Sequence, residues 1–332
     1  MAKKKLYFMV LDCETATLPF ADELANNSEE KKKIAISKPL IYDIGWTICD
    51  RQGYIVKKES FLVSEIFSVP AVFNTAYYKD KRPMYLEKLN NGEIALKSWR
   101  EIMPVFMNDM RMVDSVGAFN SMFDFKKAIP FTDLYIKHLY SADYFDWERI
   151  QYKICKDIIS KPYEKPEDKE FDAMNFTFHH VTVPLFDLWG LATVNLLNNV
   201  RYKQKCLEHN MLTASGTFFK TSAESSYRYL KDKYDFDEAH TAIEDAEIET
   251  FILSKIARKH AISAGIIYFP FRELGTTYDF VMRNEKPKMK EVQVVYDAIS
   301  LYIENALAEG KENNYLTRLM RIVETLEAMK DC

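Results

Sequence analysis

Two acidic residues close an apolar run near the start of the chain. Leu6 to Thr15 reads Leu-Tyr-Phe-Met-Val-Leu-Asp-Cys-Glu-Thr, so Asp12 and Glu14 stand two apart with Cys13 between them. A short apolar run with aromatic and β-branched members suits a strand buried on both faces. Residues two apart on a strand share a face, so the two carboxylates project together while Cys13 points the other way. Like charges at the end of a core strand repel and are poorly hydrated, and a hard divalent cation with oxygen ligands offsets both costs. The residues alone also allow a solvated pair of acids at an exposed strand end.

Further candidates lie downstream. Asn120 and Asp124 are four apart, on one face of the first turns of a helical stretch. They also read as a cap and a complement to the helix dipole. His240 and Asp245 bracket the start of another helix, with Thr241-Ala-Ile-Glu244 as its capping box. His240 also reads as a surface histidine flanking that helix. Asp187 is the natural N-cap of a helix over Leu188–Val200. His179 and His180, adjacent on an expected strand, point to opposite faces, so they are read as structural.

The elements that must position these residues follow from local pattern. Leu40–Cys49 and Tyr54–Val63 form a hairpin around the turn signal Asp50-Arg-Gln-Gly53. Helical spacing covers Ala95–Met112, Ser115–Phe119 is a short strand, and Asn120–Tyr140 is a helix that Pro130 kinks or breaks. Thr221-Ser-Ala-Glu224 is a second capping box, opening a helix over Ala223–Lys231, and the helix after His240 runs to about His260. Residues 25–38 read as an exposed connection. Residues 141–183 lack a period and read as a surface insertion. Two amphipathic helices, Val292–Ala308 and Tyr315–Met329, close the chain. Lys79, Lys81 and Arg82 form a basic cluster, either a solvated face or a lip for phosphates.

Composition sets bounds. The 332 residues exceed one typical domain, and 48% hydrophobic content with 22 Phe and 20 Tyr supplies an ample core. With only 9 Gly a glycine-rich phosphate cradle is excluded, and a net charge of −4 gives no bulk attraction to nucleic acid. Five scattered cysteines without a Cys-x-x-Cys pair argue against a zinc site or a disulfide framework. No apolar run reaches membrane-spanning length, and Lys3-Lys4-Lys5 leads into a strand rather than a signal sequence. A protein of the cytoplasm, without membrane contact, is expected.

Taken in order, Leu11-Asp12-Cys13-Glu14-Thr15, Ala118-Phe119-Asn120-Ser121-Met122-Phe123-Asp124 and His240-Thr241-Ala242-Ile243-Glu244-Asp245-Ala246 resemble the three motifs of the DEDDh group of 3′-to-5′ exonucleases. That group includes proofreading subunits of bacterial replicative polymerases, ribonuclease T and oligoribonuclease. Asp43-Ile44-Gly45 and Phe186-Asp187-Leu188 are similar too. The resemblance covers roughly residues 5–258, and the stretch from Lys220 is similar to bacteriophage exonucleases. It implies an α/β fold of ribonuclease-H-like type: a mixed central sheet flanked by helices, carrying a surface insertion and a C-terminal helical extension. The domain would span 1–262, with the insertion at about 141–183 and the extension at 263–332. Ala16-Thr17-Leu18 departs from the family, which has a glycine after the first motif.

What the resemblance implies chemically is a two-metal-ion phosphodiesterase. Asp12, Glu14, Asp124 and Asp245 would hold two Mg²⁺ or Mn²⁺ ions about 3.5–4 Å apart, and His240 would be general base. Thr15, Leu18, Phe20, Asn120 and Phe123 would bind the terminal nucleotide, with Leu18 and Phe20 offered as stacking surfaces. The substrate would be the 3′ end of single-stranded nucleic acid, DNA favoured over RNA, releasing nucleoside monophosphates. A DNA polymerase or other replication partner is implied, in the host cytoplasm if the chain is phage-encoded. An RNA-trimming exonuclease and a non-catalytic module docking a polymerase or host protein stay open as alternatives.

Overall fold

The apolar run at the start of the chain forms β1 (Tyr7–Ala16), and in the computed structural model every later strand is arranged around it. In chain order these are β2 (Leu40–Asp50), β3 (Ile55–Val63), β4 (Ala95–Lys97), β5 (Ser115–Ala118), β6 (Asn175–Phe178) and β7 (Val181–Asp187). They make one seven-stranded sheet in the order β4-β3-β2-β1-β5-β7-β6. β2 is antiparallel to both β1 and β3, whereas β1, β5 and β7 run parallel. With helices on both faces this is an α/β fold, compatible with the ribonuclease-H-like arrangement. The structure describes residues 5–20, 38–141, 175–197, 199–259 and 289–310, with isolated residues at 23, 26, 28–29, 152–153, 155–156, 316, 319–320, 323–324 and 327.

The longer helices among the described residues are α1 (Arg82–Asn90), α2 (Trp99–Met112), α3 (Ile129–Ser141), α4 (Leu188–Leu197), α5 (Val200–Glu208), α6 (Ala223–Lys231), α7 (Ala242–Lys259) and α8 (Met289–Ala308). Alternation along β1 divides the core. Met9, Leu11 and Cys13 pack with Trp99, Phe106 and Ile136 on one face. Phe8 and Val10 pack on the other with Phe186, Leu188, Ile248 and Ile252. A separate cluster joins Tyr202 and Cys206 of α5 to Ile299 and Ile303 of α8, so the first C-terminal helix is packed rather than free.

Several local expectations change. Ala95–Met112 is not one helix: Ala95–Lys97 pairs with β3, and Ser98 and Glu101 form a capping box that starts α2. The stretch from Asn120 is also divided. Ser121–Phe123 is a helical turn, Asp124–Ala128 is a π-helical turn, and α3 follows, so the irregularity begins six residues before Pro130. Residues 175–183 belong to the β6–β7 hairpin and not to an insertion, and His179 and His180 occupy its turn. α4 stops at Leu197, and Asn199 caps α5 by accepting from the Tyr202 N–H at 3.1 Å. Most of 142–174, most of the 25–38 connection, the boundary at 262 and most of the second C-terminal helix lie outside the described residues. No helix among the described residues is long and apolar enough to cross a membrane. Cys13, Cys49, Cys155 and Cys206 are free and buried.

Candidate active site

The carboxyl ends of the parallel strands β1, β5 and β7 open at one edge of the sheet, where open α/β sheets bind ligands. β1 carries Asp12 and Glu14 toward that edge, on the same face as Phe8 and Val10, beneath α7. The pairing with β2 places Gly45 opposite Asp12 and Asp43 opposite Glu14, and the register shifts between Glu14 and Thr15. Such an irregularity ends regular pairing and re-aims the side chains beside it.

α7 brings Asp245 to this face by close packing on β2. Gly45 lies directly under its first turn, where an added Cβ would sit 2.4 Å from the Ile243 nitrogen. The Asp43 carboxylate accepts from the Ala242 N–H and from the Tyr85 hydroxyl, both at 2.9 Å. The helix is therefore capped from a neighbouring strand, and the expected capping box is altered: the Thr241 hydroxyl donates to Glu244 at 2.5 Å. About two helical turns further on, the hydroxyls of Thr47 and Thr250 meet at 2.5 Å, pinning α7 to β2 a second time.

His240 precedes this helix in a left-handed backbone conformation, φ 52°. Its ring stacks on Tyr78 with centroids 4.6 Å apart. Its Nδ1 lies 3.8 Å from Glu238 Oε2 and 3.9 Å from Asp245 Oδ2. Lys81 reaches across to donate to the Ala239 carbonyl at 2.5 Å, with its ammonium 4.7 Å from the Tyr78 ring. Burial, and secondarily the Lys81 charge, hold the imidazole below the usual histidine range.

Asp124 is the first residue of the π turn and is buried. The Cys13 thiol donates to it, and its charge is felt strongly at Asp12. Asn120 is exposed with φ 86°, and its side chain caps nothing. The turn is held instead by Asp187, whose Oδ1 accepts from the Asn120 and Ser121 N–H groups at 3.2 and 3.0 Å. Its Oδ2 accepts from the Gly190 N–H at 3.0 Å, so Asp187 does cap α4 and holds the second motif as well.

Among the described residues, Glu14, His240 and Asp245 bring their potential ligand atoms within 4.8 Å of one another. Asp12 and Asp124 adjoin this group without belonging to it, so the expected set of four carboxylates is only partly drawn together. Burial and mutual repulsion show throughout. Glu14 is pushed up to about 10 by burial, then by Asp12 and Asp43. Asp245 rises to about 8 by burial, then by the charge of Asp12. Asp12 and Asp124 are raised well above the carboxylate range, mainly by burial. Asp245 Oδ1 is buried without a hydrogen-bond partner, as is Oε1 of Glu238. Buried carboxylate oxygens lacking donors are suited to a hard cation, so these residues fit Mg²⁺ or Mn²⁺.

Two acids escaped the sequence reading. Glu249 is buried beside Asp12, Asp124 and Asp245, and accepts from the Phe119 N–H at 3.1 Å, linking α7 to the second motif. Its position four residues after Asp245 on α7 could have revealed it. Glu238, raised to about 8 by burial and then by Asp245, sits in a loop with no periodicity to mark it. Among the expected nucleotide-binding residues, Leu18 is corrected: it is wholly buried in the core and offers no face to a base. Phe123 packs partly against the same core. Thr15 is half-buried, and Phe20, with φ 62°, packs edge-on against Tyr152 at 5.7 Å. No family model, curated protein or solved structure matches the chain.

Proposed function

We propose that the chain is a divalent-metal-dependent 3′-to-5′ exonuclease that releases nucleoside monophosphates from single-stranded nucleic acid, DNA in preference to RNA. The observation that carries this reading is the meeting of Glu14, His240 and Asp245, from opposite ends of the domain, beside Asp12 and Asp124. Asp12, Glu14, Asp124 and Asp245 would hold the ions, which when bound polarise the phosphodiester and acidify a water. His240, kept neutral by its surroundings, accepts a proton from the attacking water as the new P–O bond forms. Stacking on Tyr78 fixes the plane of the ring, with Nδ1 3.9 Å from Asp245 Oδ2. The bond from phosphorus to the 3′ oxygen breaks, and that oxygen takes a proton from solvent.

The test is purified chain with Mg²⁺, Mn²⁺ or EDTA on single-stranded DNA, duplex DNA and RNA labelled at either end. Metal-dependent release of mononucleotide from the 3′ label first, abolished in Asp12→Ala and Asp245→Ala, supports the reading. Absence of hydrolysis with either metal, or full activity in either variant, overturns it. Copurification of an inactive chain with a polymerase would favour the docking module instead.

A further inference from the structure

We propose that Tyr77 to Arg82 forms a lip over the acid cluster, on which Tyr77 stacks a base of the incoming strand while Lys79 and Lys81 face its phosphates. This deepens the exonuclease reading and rests on it for the identity of the strand. Tyr77 is 87% exposed, the most exposed large apolar side chain among the described residues. Its ring meets Tyr78 edge-on with centroids 4.9 Å apart, and Tyr78 stacks on His240. A chain of rings therefore leads from the candidate general base outward to solvent. Lys81 belongs to the same lip, and its positive charge is felt by Glu14 and Asp245.

The lip is tied down just before it, within it and just after it. The Thr75 hydroxyl accepts from the Thr17 N–H at 2.9 Å, tying its start to the segment that follows Asp12 and Glu14. Lys81 holds the Ala239 carbonyl. Beyond it, the Tyr85 hydroxyl donates to Asp43, the residue that caps α7. A segment tied to the first and third motifs loses little freedom when a ligand arrives, so an exposed aromatic on it is ready to bind. Every base presents a ring face, so stacking on Tyr77 with lysines along the backbone binds a single strand without reading sequence. Arg82 ends the lip without offering its charge to the strand: its guanidinium lies over Phe67 and Phe73 at 5.0 and 5.1 Å.

The experiment is anisotropy of a fluorescent eight-thymidine strand with full-length protein in EDTA, which reads binding whether or not the strand can be cut. Tyr77→Ala is expected to weaken affinity about tenfold, and Tyr77→Phe to restore it because the ring face remains. Lys79→Gln should weaken binding and reduce the slope of log affinity against log salt by about 0.7. Tyr54→Ala, at the opposite end of the sheet, should match wild type. Equal affinities for wild type and Tyr77→Ala overturn the lip, even if the protein proves to be an exonuclease. An inactive protein that still shows the Tyr77 effect overturns the exonuclease reading and leaves the lip standing.

Discussion

Gly45 and Ile243 touch backbone to backbone: a side chain on Gly45 would lie 2.4 Å from the Ile243 nitrogen. Because Gly45 pairs with Asp12, this contact sets how near α7 brings Asp245 to the acids of β1. Gly45→Ala should therefore both overpack and displace the helix. A loss of roughly 1–3 kcal/mol in denaturant unfolding is expected, or more if the helix cannot shift. A further drop in affinity for Mg²⁺, read by calorimetry on the folded variant, should accompany it. Unchanged stability and unchanged metal affinity would show that the contact positions nothing.

Asp43 reaches α7 from the strand below, and its charge is also felt by Glu14 and Asp245. Asp43→Asn keeps an acceptor for Ala242 and Tyr85 and removes a buried charge. It should fold with nearly wild-type stability. Asp43→Ala leaves both donors unsatisfied and should lose about 1–3 kcal/mol in urea unfolding. If the two variants unfold alike, the carboxylate is not the cap that the 2.9 Å contact implies.

The buried carboxylates give stability a distinct pH dependence. Glu14 is pushed up to about 10, Asp245 and Glu238 to about 8, and Asp43 to about 7, burial being the first cause for each. The folded protein thus holds more protons than the unfolded chain between the ordinary carboxylate range, near pH 4, and these values. Stability contributed by the protonated forms is complete below that range and is lost as pH rises through 7, 8 and 10. His240 has the opposite sign, its contribution being lost as pH falls below the ordinary histidine value of about 6.5. In EDTA the melting temperature should fall from pH 6 to pH 9. Mg²⁺ should raise stability, by about 2.7 kcal/mol when free ion exceeds its Kd a hundredfold, and at a fixed ion concentration by more at pH 9 than at pH 6. A flat, metal-insensitive profile would remove the cation site.

The central strands and the long helices were legible because each has a dense local signal. The run before Asp12 is apolar throughout, and α7 announces itself by Thr241, whereas α6 is capped by Ser222, which accepts from the Ser225 N–H, and not by the expected Thr221 one residue earlier. Asp187 was legible as a cap because a short acceptor directly before an apolar helix has few other uses. Long-range relationships were not. The cap of α7 is Asp43, about two hundred residues upstream by the 199-residue separation, and no pattern around Thr241 reveals that choice. The π turn at Asp124 depends on Asp187 gathering two N–H groups from across the sheet. Leu18 was misplaced because an apolar residue just after a strand reads equally as a binding surface or as core. The lip was half visible: its lysines stand out as charge, but only the fold puts Tyr78 on His240.

Lys81 and His240 offer a test of proton transfer. Burial is the larger cause of the lowered His240 value and the Lys81 charge the second. Lys81→Gln removes the repulsion that disfavours the imidazolium, so the His240 value rises toward the ordinary one near 6.5. A general base must be unprotonated to act, and the acidic limb of the kcat profile should move to higher pH. Activity at pH 6 should fall more than activity at pH 8, whereas Lys81→Arg, which keeps the charge, should follow the wild-type profile. Weaker substrate binding by the variant would appear in KM and leave the position of the kcat limb unmoved, which separates the two roles of the lysine. His240→Ala should lower kcat by about 10²–10⁴ and abolish that limb. An acidic limb that stays in place in Lys81→Gln and persists in His240→Ala would assign the proton to another group, with Glu238, 3.8 Å from the His240 ring, the next to replace.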